Sequence, residues 1–370
     1  MYLSSLVNRA THWPVSMTPA GDGDRRPLAL RTIWFLAFGL LTAVIAGLSI
    51  GPSGTGFGTV LSYFTSMFTG AEIAARERII IESIRLPRVI MGVLVGASLA
   101  VSGAIMQGLF RNPLADPGIV GVSAGAGLGA ITVIVLGTGV LAPVILPLGI
   151  FAVPLAAFFG ALFTTMLLYR LATRGGQTSI STLLLRRIAH AAIAGAARGI
   201  LIYLADDAQL RDLTFWGLGS LAGATWQKCL AVAPIIVLAM ATAPFLARGL
   251  NALALGEAAA HHAGIPVQIF KRISIIAVAG ATGAAVAASG GIGFVGVVVP
   301  HLLRLFMGPD NRTLLPASAL LGAALLLICD AISRTIVAPA ELPIGVVTAL
   351  IGAPFFLWIL MSRRGLAGMG

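Results

Sequence analysis

The chain has 370 residues, of which 58% are hydrophobic and only 10% are charged, and its mean hydropathy is +0.99. About 25% of the residues in a soluble domain are charged, so this composition excludes a globular cytosolic protein. The net charge of +11 is scattered between apolar runs. That pattern is typical of loops that orient a membrane protein and argues against nucleic acid as a partner. We therefore expect an all-α, polytopic membrane protein.

The first residues of the chain differ from the rest. Residues 1–29 are polar and rich in Pro, Gly and Arg. No apolar core precedes a small-residue cleavage site, so this stretch does not read as a secretory signal. It predicts a disordered cytosolic tail, followed by a transmembrane domain over 30–370.

Apolar runs of about 20 residues, the length that crosses a bilayer as a helix, recur along this domain. They predict ten spans, at about 30–50, 86–108, 118–138, 146–170, 182–204, 229–249, 272–290, 294–308, 313–335 and 344–362. The fifth is polar for a span, and the eighth is short and contains Pro300. If the N-terminus is cytosolic, the C-terminus is too, and most basic residues then lie inside, as the positive-inside rule requires.

The source of energy is constrained by the two lysines, Lys228 and Lys271, neither of which follows a glycine. A phosphate-binding P-loop ends in Gly-Lys followed by Ser or Thr, so this chain cannot hydrolyse ATP by that route. Ion-driven carriers usually keep ionisable residues inside the membrane, and Asp330 is the one acid well inside a predicted span. A stand-alone secondary transporter stays as an alternative, but energy from a partner protein explains the sequence better.

Metal binding and disulfide bonding have little support in the sequence. Cys229 and Cys329 are isolated in apolar surroundings and form no CxxC pair. His261 and His262 have no Cys or acidic partner at ligand spacing. We predict no metal site.

Three segments are distinctive, at 85–130, 250–267 and 289–323 with its continuation to 360. They contain RLPRVIMGVLVGASLAVSGAIMQGLFRNPLADPGIVG, LNALALGEAAAHHAGIPV and SGGIGFVGVVVPHLLRLFMGPDNRT. In this order they resemble the permease subunits of ABC importers for iron-siderophores, haem and cobalamin, over about 30–362. The loop YLADDAQLRDLTFWGLGSLAGATW is most similar to haem permeases.

The resemblance implies a type II importer permease of about ten helices that forms a homodimer in the bacterial inner membrane, with the path at the two-fold axis. Two cytosolic ATPase subunits would hold the ATP, and a periplasmic binding protein would deliver the cargo. Haem is then the transported substrate, and no cofactor is bound permanently. The alternative cargoes are a ferric siderophore or cobalamin.

Segment 250–265 lies between the sixth and seventh predicted spans, and its glycines predict a short helix pair. The resemblance implies that this segment is the coupling element that sits in a cleft of the ATPase. The residues that correspond are Leu255, Gly256, Glu257 and His261. The alternative is an ordinary connecting loop, although the segment is longer than a simple connection needs.

Arg85, Arg88 and Arg334 fall at the outer ends of predicted spans. Arginine binds carboxylates in a bidentate manner, which suits a partner that presents glutamates. The resemblance implies that these positions dock acidic residues of the binding protein. Anchoring to lipid phosphate is the alternative.

The fifth predicted span departs from the family pattern, since residues 186–198 read RRIAHAAIAGAAR. Arg187, His190 and Arg198 can share one helical face. Charge inside a span favours a transport pathway, and a basic lining would attract the two propionates of haem. The alternatives are snorkelling of basic side chains to the interface, or a local sequence irregularity.

Overall fold

In a computed structural model the described residues are 26–51, 54–174, 177–178 and 180–362. Most of the predicted tail, residues 1–25, lies outside them, and the first helix begins at Arg26.

Sixteen α-helices make up most of the part of the chain that the structure describes. They are α1 (Arg26–Ser49), α2 (Phe57–Thr69), α3 (Ala75–Ile79), α4 (Leu86–Leu109), α5 (Val122–Leu136), α6 (Ala142–Ile145), α7 (Ala152–Ala172), α8 (Ile180–Leu204), α9 (Asp207–Leu218), α10 (Trp226–Ala241), α11 (Ala243–Ala254), α12 (Glu257–His262), α13 (Val267–Ser289), α14 (Val295–Met307), α15 (Asn311–Thr335) and α16 (Ile344–Ser362).

Short irregular segments join some of these helices. A π-helical segment, Ile80–Arg85, makes α3 continuous with α4, and 3-10 segments at Pro117–Val120 and Leu146–Phe151 precede α5 and α7. Two strands of two residues each, β1 (Thr173–Arg174) and β2 (Gln177–Thr178), pair in antiparallel fashion.

Nine of the ten predicted spans each coincide with one helix, and the sixth, 229–249, covers parts of both α10 and α11. Five helical stretches of the described chain are long and apolar enough to cross a membrane, namely Pro27–Ser49, Ala75–Leu109, Ala142–Leu171, Val267–Ser289 and Asn311–Thr335. A sixth span forms if α10 and α11, bent by 43°, are counted together. The remaining predicted positions hold shorter apolar helices, at Val122–Leu136, Ala191–Leu204, Val295–Met307 and Ile344–Leu357. The all-α membrane fold is confirmed, while the number of ten spans stays a prediction.

Helix α4 occupies the centre of the fold and packs against α13, α14 and α15. Its glycines explain how closely these helices approach. A Cβ atom on Gly96 would collide with the backbone of Gly322 in α15, and one on Gly103 would collide with Gly296 in α14. Small residues at such crossings let helix backbones come into contact, which is how membrane helices gain packing energy without a hydrophobic effect.

Helix α1 covers one side of α15 and leaves large apolar side chains exposed. Trp34, Phe35 and Phe38 are 75%, 73% and 65% exposed, whereas Leu36 is buried. Lipid tails are as apolar as these side chains, so such a surface is expected on a helix that faces the bilayer.

Candidate functional site

The predicted coupling segment is a tight turn between two helices. Helix α11 ends at Ala254, and α12 begins at Glu257, so the helix pair that its glycines predict is present. Gly256, between them, has φ +110° and ψ 158°, a conformation open essentially to glycine alone. Leu255 is 81% exposed beside it. The turn therefore presents one large apolar side chain on a backbone that only glycine permits.

Glu257, the first residue of α12, makes an ion pair within the chain. Its Oε1 lies 2.8 Å from Nζ of Lys271 in α13. The Lys271 side chain is 3% exposed and that of Glu257 is 41% exposed. A buried ammonium needs a compensating acceptor, so part of the role of Glu257 is to hold α12 against α13.

His261 is exposed at the other end of α12. Its ring lies edge-on to that of His262, with ring centroids 6.2 Å apart. Among the residues that the structure describes, no three His, Cys, Asp or Glu side chains gather as metal ligands would.

Asn251 in α11 connects the coupling segment to the start of α15. Its Nδ2 donates to Oδ1 of Asp310 at 2.6 Å, and its Oδ1 accepts from the backbone N–H of Asn311 at 2.9 Å. Asp310 also caps α15 by accepting from the N–H of Arg312. These bonds tie the end of α11 to the start of α15, a long helix of the core. Sequence analysis missed Asn251, because nothing local links it to residues about sixty positions away.

At the opposite end of α15, Arg88 lies between two carboxylates. Its Nε and Nη2 are 3.0 and 2.9 Å from Oδ1 of Asp330. Its Nη1 and Nη2 are 2.8 and 2.9 Å from the two carboxylate oxygens of Glu341. Arg334 pairs with the same Asp330, at 3.1 Å. The side chain of Asp330 is 1% exposed and that of Glu341 is 32% exposed, so Glu341 is the accessible carboxylate of this network.

Two of the arginines also bind the carboxyl end of α1. Nη2 of Arg334 donates to the carbonyl of Gly47 at 3.1 Å, and Nη1 of Arg85 donates to the carbonyl of Leu48. The last carbonyls of a helix have no donor within it and carry partial negative charge, so cations there are stabilising. The arginine cluster thus ties α1 to α4 and α15.

The structure brings Arg85, Arg88 and Arg334 together, as the sequence predicts, but not at the surface. They are only 3%, 6% and 4% exposed, so the arginines predicted for docking are buried within the chain. The physical reason is that Arg88 and Arg334 have carboxylate partners inside the chain, Asp330 and Glu341, while Arg85 donates to the carbonyl of Leu48. These partners allow the guanidinium groups to be buried. The same burial argues against anchoring to lipid phosphate, and the docking role itself stays a prediction.

The three predicted path residues all belong to α8. The side chains of Arg187 and His190 lie outside the described part of the structure. Arg198 is partly buried, and its Nη2 donates to the carbonyls of Ala124 at 2.6 Å and Ser123 at 3.3 Å. Its Nε has no hydrogen-bond partner among the described residues. Arg198 therefore holds α8 to the first turn of α5.

Comparison with known proteins agrees with this architecture. The model of the FecCD transport family matches residues 39–362. The chain belongs to the FecCD transport family. The resemblance identified from the sequence is confirmed at this level, and it places the chain among membrane-embedded permeases.

Relatives in this family differ in the cargo that their names record. The hemin transport system permease protein HmuU of Yersinia pestis is 44% identical over 331 residues, which are 89% of this chain and 96% of that protein. The cobalamin import system permease protein BtuC of Halobacterium salinarum is 44% identical over 287 residues, 78% of this chain and 74% of that protein. The vitamin B12 import system permease protein BtuC of Klebsiella pneumoniae is 43% identical over 297 residues, 80% of this chain and 86% of that protein.

The fold is also similar to a solved structure described as an inward-facing conformation of a putative metal-chelate type ABC transporter. The TM-score is 0.77 at 28% sequence identity, and the match covers 90% of this chain and 99% of that one. The FecCD permease fold therefore extends over nearly the whole chain.

Proposed function

We propose that the chain is the permease subunit of an ATP-driven importer that moves haem from the periplasm to the cytoplasm. The observation that carries this proposal is the 44% identity to a hemin permease over 89% of the chain. The loop 203–226, which resembles haem permeases, supports the same cargo. Membership of a permease family argues against the alternative of a secondary transporter that works alone.

In this proposal the working assembly is a homodimer in a bacterial inner membrane, with both termini of each chain in the cytosol. Two ATPase subunits and a periplasmic binding protein complete it. The permease binds no permanent cofactor and is not itself an enzyme. Its lack of a P-loop lysine supports the assignment of ATP hydrolysis to the partner.

The coupling segment is assigned to contact with the ATPase. Leu255 is the side chain that the turn presents to a partner, and a large exposed apolar residue at a turn suits insertion into a cleft. Gly256 sets the direction of the turn, Glu257 fastens α12 to α13, and His261 lies exposed beside them. Closure of the ATPase dimer would push on α12 and reach the core through the pairing of Glu257 with Lys271.

We assign docking of the binding protein to the outer corner, the surface beside the arginine cluster of Arg85, Arg88 and Arg334. A partner carboxylate can reach Arg88 only where Glu341 now lies, because Asp330 occupies the buried side of the guanidinium. Docking by this route exchanges Glu341 for a carboxylate of the partner. Arg85 and Arg334 then shape the corner through their bonds to α1.

For the path we propose Arg198, with Arg187 and His190 on the same helix. Charge inside a span favours a pathway, and a guanidinium group suits an anionic group of the cargo, such as a propionate of haem. The bonds of Arg198 to α5 hold its guanidinium in place for that contact.

The test of cargo is uptake into proteoliposomes that contain the permease with its ATPase, with the matching binding protein supplied. Haem, cobalamin and a ferric siderophore are compared with and without ATP. ATP-dependent uptake of haem alone supports the proposal. Uptake of cobalamin in preference to haem would replace it with the function that the two cobalamin permease relatives suggest. Equal uptake without ATP would favour the secondary transporter.

A further inference from the structure

A groove of about 500 Å³ opens between the bent helix pair α10–α11 and helix α15, with Val101 of α4 among its lining residues. The two helices of this pair are bent by 43° relative to each other. Pro244 lies in the first turn of α11 and Pro316 lies inside α15, and both line the groove. Pro244 is tolerated at the start of α11, where its missing N–H would have no partner inside the helix, whereas Pro316 removes one backbone hydrogen bond inside α15.

The groove is lined by one face from each helix, and the two faces have the same pattern. On α10–α11 the lining residues recur every three or four positions, as one face of a helix does, and they are Met240, Ala243, Pro244, Ala247 and Arg248. The face on α15 consists of Arg312, Leu315, Pro316 and Ala319. The two cations of these faces are Arg248 and Arg312. Asn251 follows Arg248 by about one helical turn and bonds to Asp310 and Asn311, which directly precede Arg312. Both cations therefore lie at the same polar end of the groove. The groove therefore has an apolar length and a doubly cationic mouth.

The two cations at the mouth differ from the buried arginines of the outer corner. Arg248 and Arg312 are exposed, and neither forms a salt bridge with an Asp or Glu of the described residues. The groove-lining residues include no acid. The lining of the mouth thus carries two positive charges. The carboxylate of Asp310, just beyond the lining, is already bonded to Asn251 and to the backbone N–H of Arg312.

We propose that this groove binds an anionic phospholipid, with the phosphate between Arg248 and Arg312 and an acyl chain along the apolar length. The charge pattern fits a phosphate, which two guanidinium groups can bind through paired donors. Basic pockets between transmembrane helices at the cytosolic interface are suited to acidic head groups for this reason. The inference is independent of which cargo the permease carries.

The surroundings of the groove favour lipid over a second copy of the chain. Phe245 and Leu238, on the same helix pair, are 84% and 73% exposed, so the apolar surface continues around the groove as a bilayer-facing surface would. In a two-fold symmetric contact this surface would meet itself, and Arg248 and Arg312 would approach their own copies. Like charges across an interface oppose such a contact.

Native mass spectrometry of the full chain in detergent can test the site, with phosphatidylglycerol, phosphatidylcholine and glycerol phosphate added in separate samples. We expect one phosphatidylglycerol to stay bound after phosphatidylcholine has dissociated, and glycerol phosphate not to bind. Arg248→Gln with Arg312→Gln should weaken phosphatidylglycerol binding about twenty-five-fold, because each basic residue near a membrane surface contributes about five-fold. Arg76→Gln with Arg211→Gln removes the same charge from exposed positions outside the groove and should leave binding unchanged.

A second variant tests the apolar length without changing charge. Ala319→Trp should narrow the groove and weaken phosphatidylglycerol binding while the arginines remain. Equal retention of both lipids, or full retention in the double glutamine variant, overturns the proposal. Tight binding of glycerol phosphate would reassign the mouth to a soluble anion. If the chain forms a dimer that excludes lipid from the groove, the groove is instead a contact between two copies of the chain.

Discussion

Glu257 and Lys271 join α12 to α13 through an ion pair of 2.8 Å, and the lysine is the buried partner. The coupling segment is therefore fixed to the core at Glu257. Two residues earlier it is exposed, since Leu255 is 81% exposed. The two residues have different roles although the sequence analysis assigned them together. Substitutions at Glu257 are therefore expected to alter folding, whereas substitutions at Leu255 should leave the fold intact and so test the proposed contact with the ATPase.

Glu257→Gln should lower the stability of the purified permease by about 1–3 kcal/mol, because it removes the carboxylate from a buried ammonium. Thermal unfolding in detergent measures this. Lys271→Gln alone should also destabilise, and the double variant should lose less than the sum of the two. Strictly additive losses would show that the pair contributes no interaction energy.

Leu255→Asp should leave unfolding unchanged but reduce binding of the ATPase by tenfold or more, since loss of a central apolar contact costs about 2 kcal/mol. Co-purification with the ATPase and ATP-driven uptake measure the effect. Val140→Asp is the matched control, because Val140 is 86% exposed and lies outside the coupling segment. Normal uptake by Leu255→Asp would make this turn a simple connector.

Gly256→Ala should destabilise the chain by about 1–3 kcal/mol, because φ +110° is strained for any residue with a Cβ atom. Gly280→Ala provides the contrast. Gly280 lies inside α13, nothing lies within 4 Å of its added Cβ, and alanine is the better helix former. If both variants unfold at the wild-type temperature, the turn is not strained.

The sequence predicts the positions of the long apolar helices well because bilayer thickness imposes a length that composition alone reveals. The same length criterion misses α2, which has 13 residues, and α12, which has six. The bend before α11 was also missed, although Pro244 signals it. A proline at the second residue of a helix indicates that a new helix begins there, even where the apolar run continues without interruption.

The candidate site was predicted less completely, because its contacts join distant parts of the chain. The grouping of Arg85, Arg88 and Arg334 follows from topology, which places all three at one end of the spans. Their burial does not follow, because Glu341 is 253 residues from Arg88 and only the fold brings them together. Asp330 offers a partial signal, since an acid inside a span needs a partner nearby.

The last prediction concerns the cluster of Arg85, Arg88 and Arg334. It distinguishes the role of this cluster in holding the helices together from its proposed role in docking the binding protein. Reversing all three arginines would leave Asp330 among new carboxylates and disrupt the fold, so single changes at the acids are more informative. Asp330→Asn should destabilise the chain by about 3–5 kcal/mol, because Asp330 is buried between Arg88 and Arg334. Glu341→Gln should change stability far less, since its side chain is 32% exposed.

If docking exchanges Glu341 for a carboxylate of the binding protein, Glu341→Gln should raise affinity for that protein about five-fold at low salt, because the competitor of the partner is gone. The gain should shrink at high salt, where exposed charges are screened. Glu72→Gln removes the same charge from an exposed position outside the cluster and should have no effect. Binding of the immobilised permease, measured at both salt concentrations, decides the matter. Equal affinity of wild type and Glu341→Gln would mean that the carboxylates of the partner do not reach Arg88, and that the cluster only holds α1, α4 and α15 together.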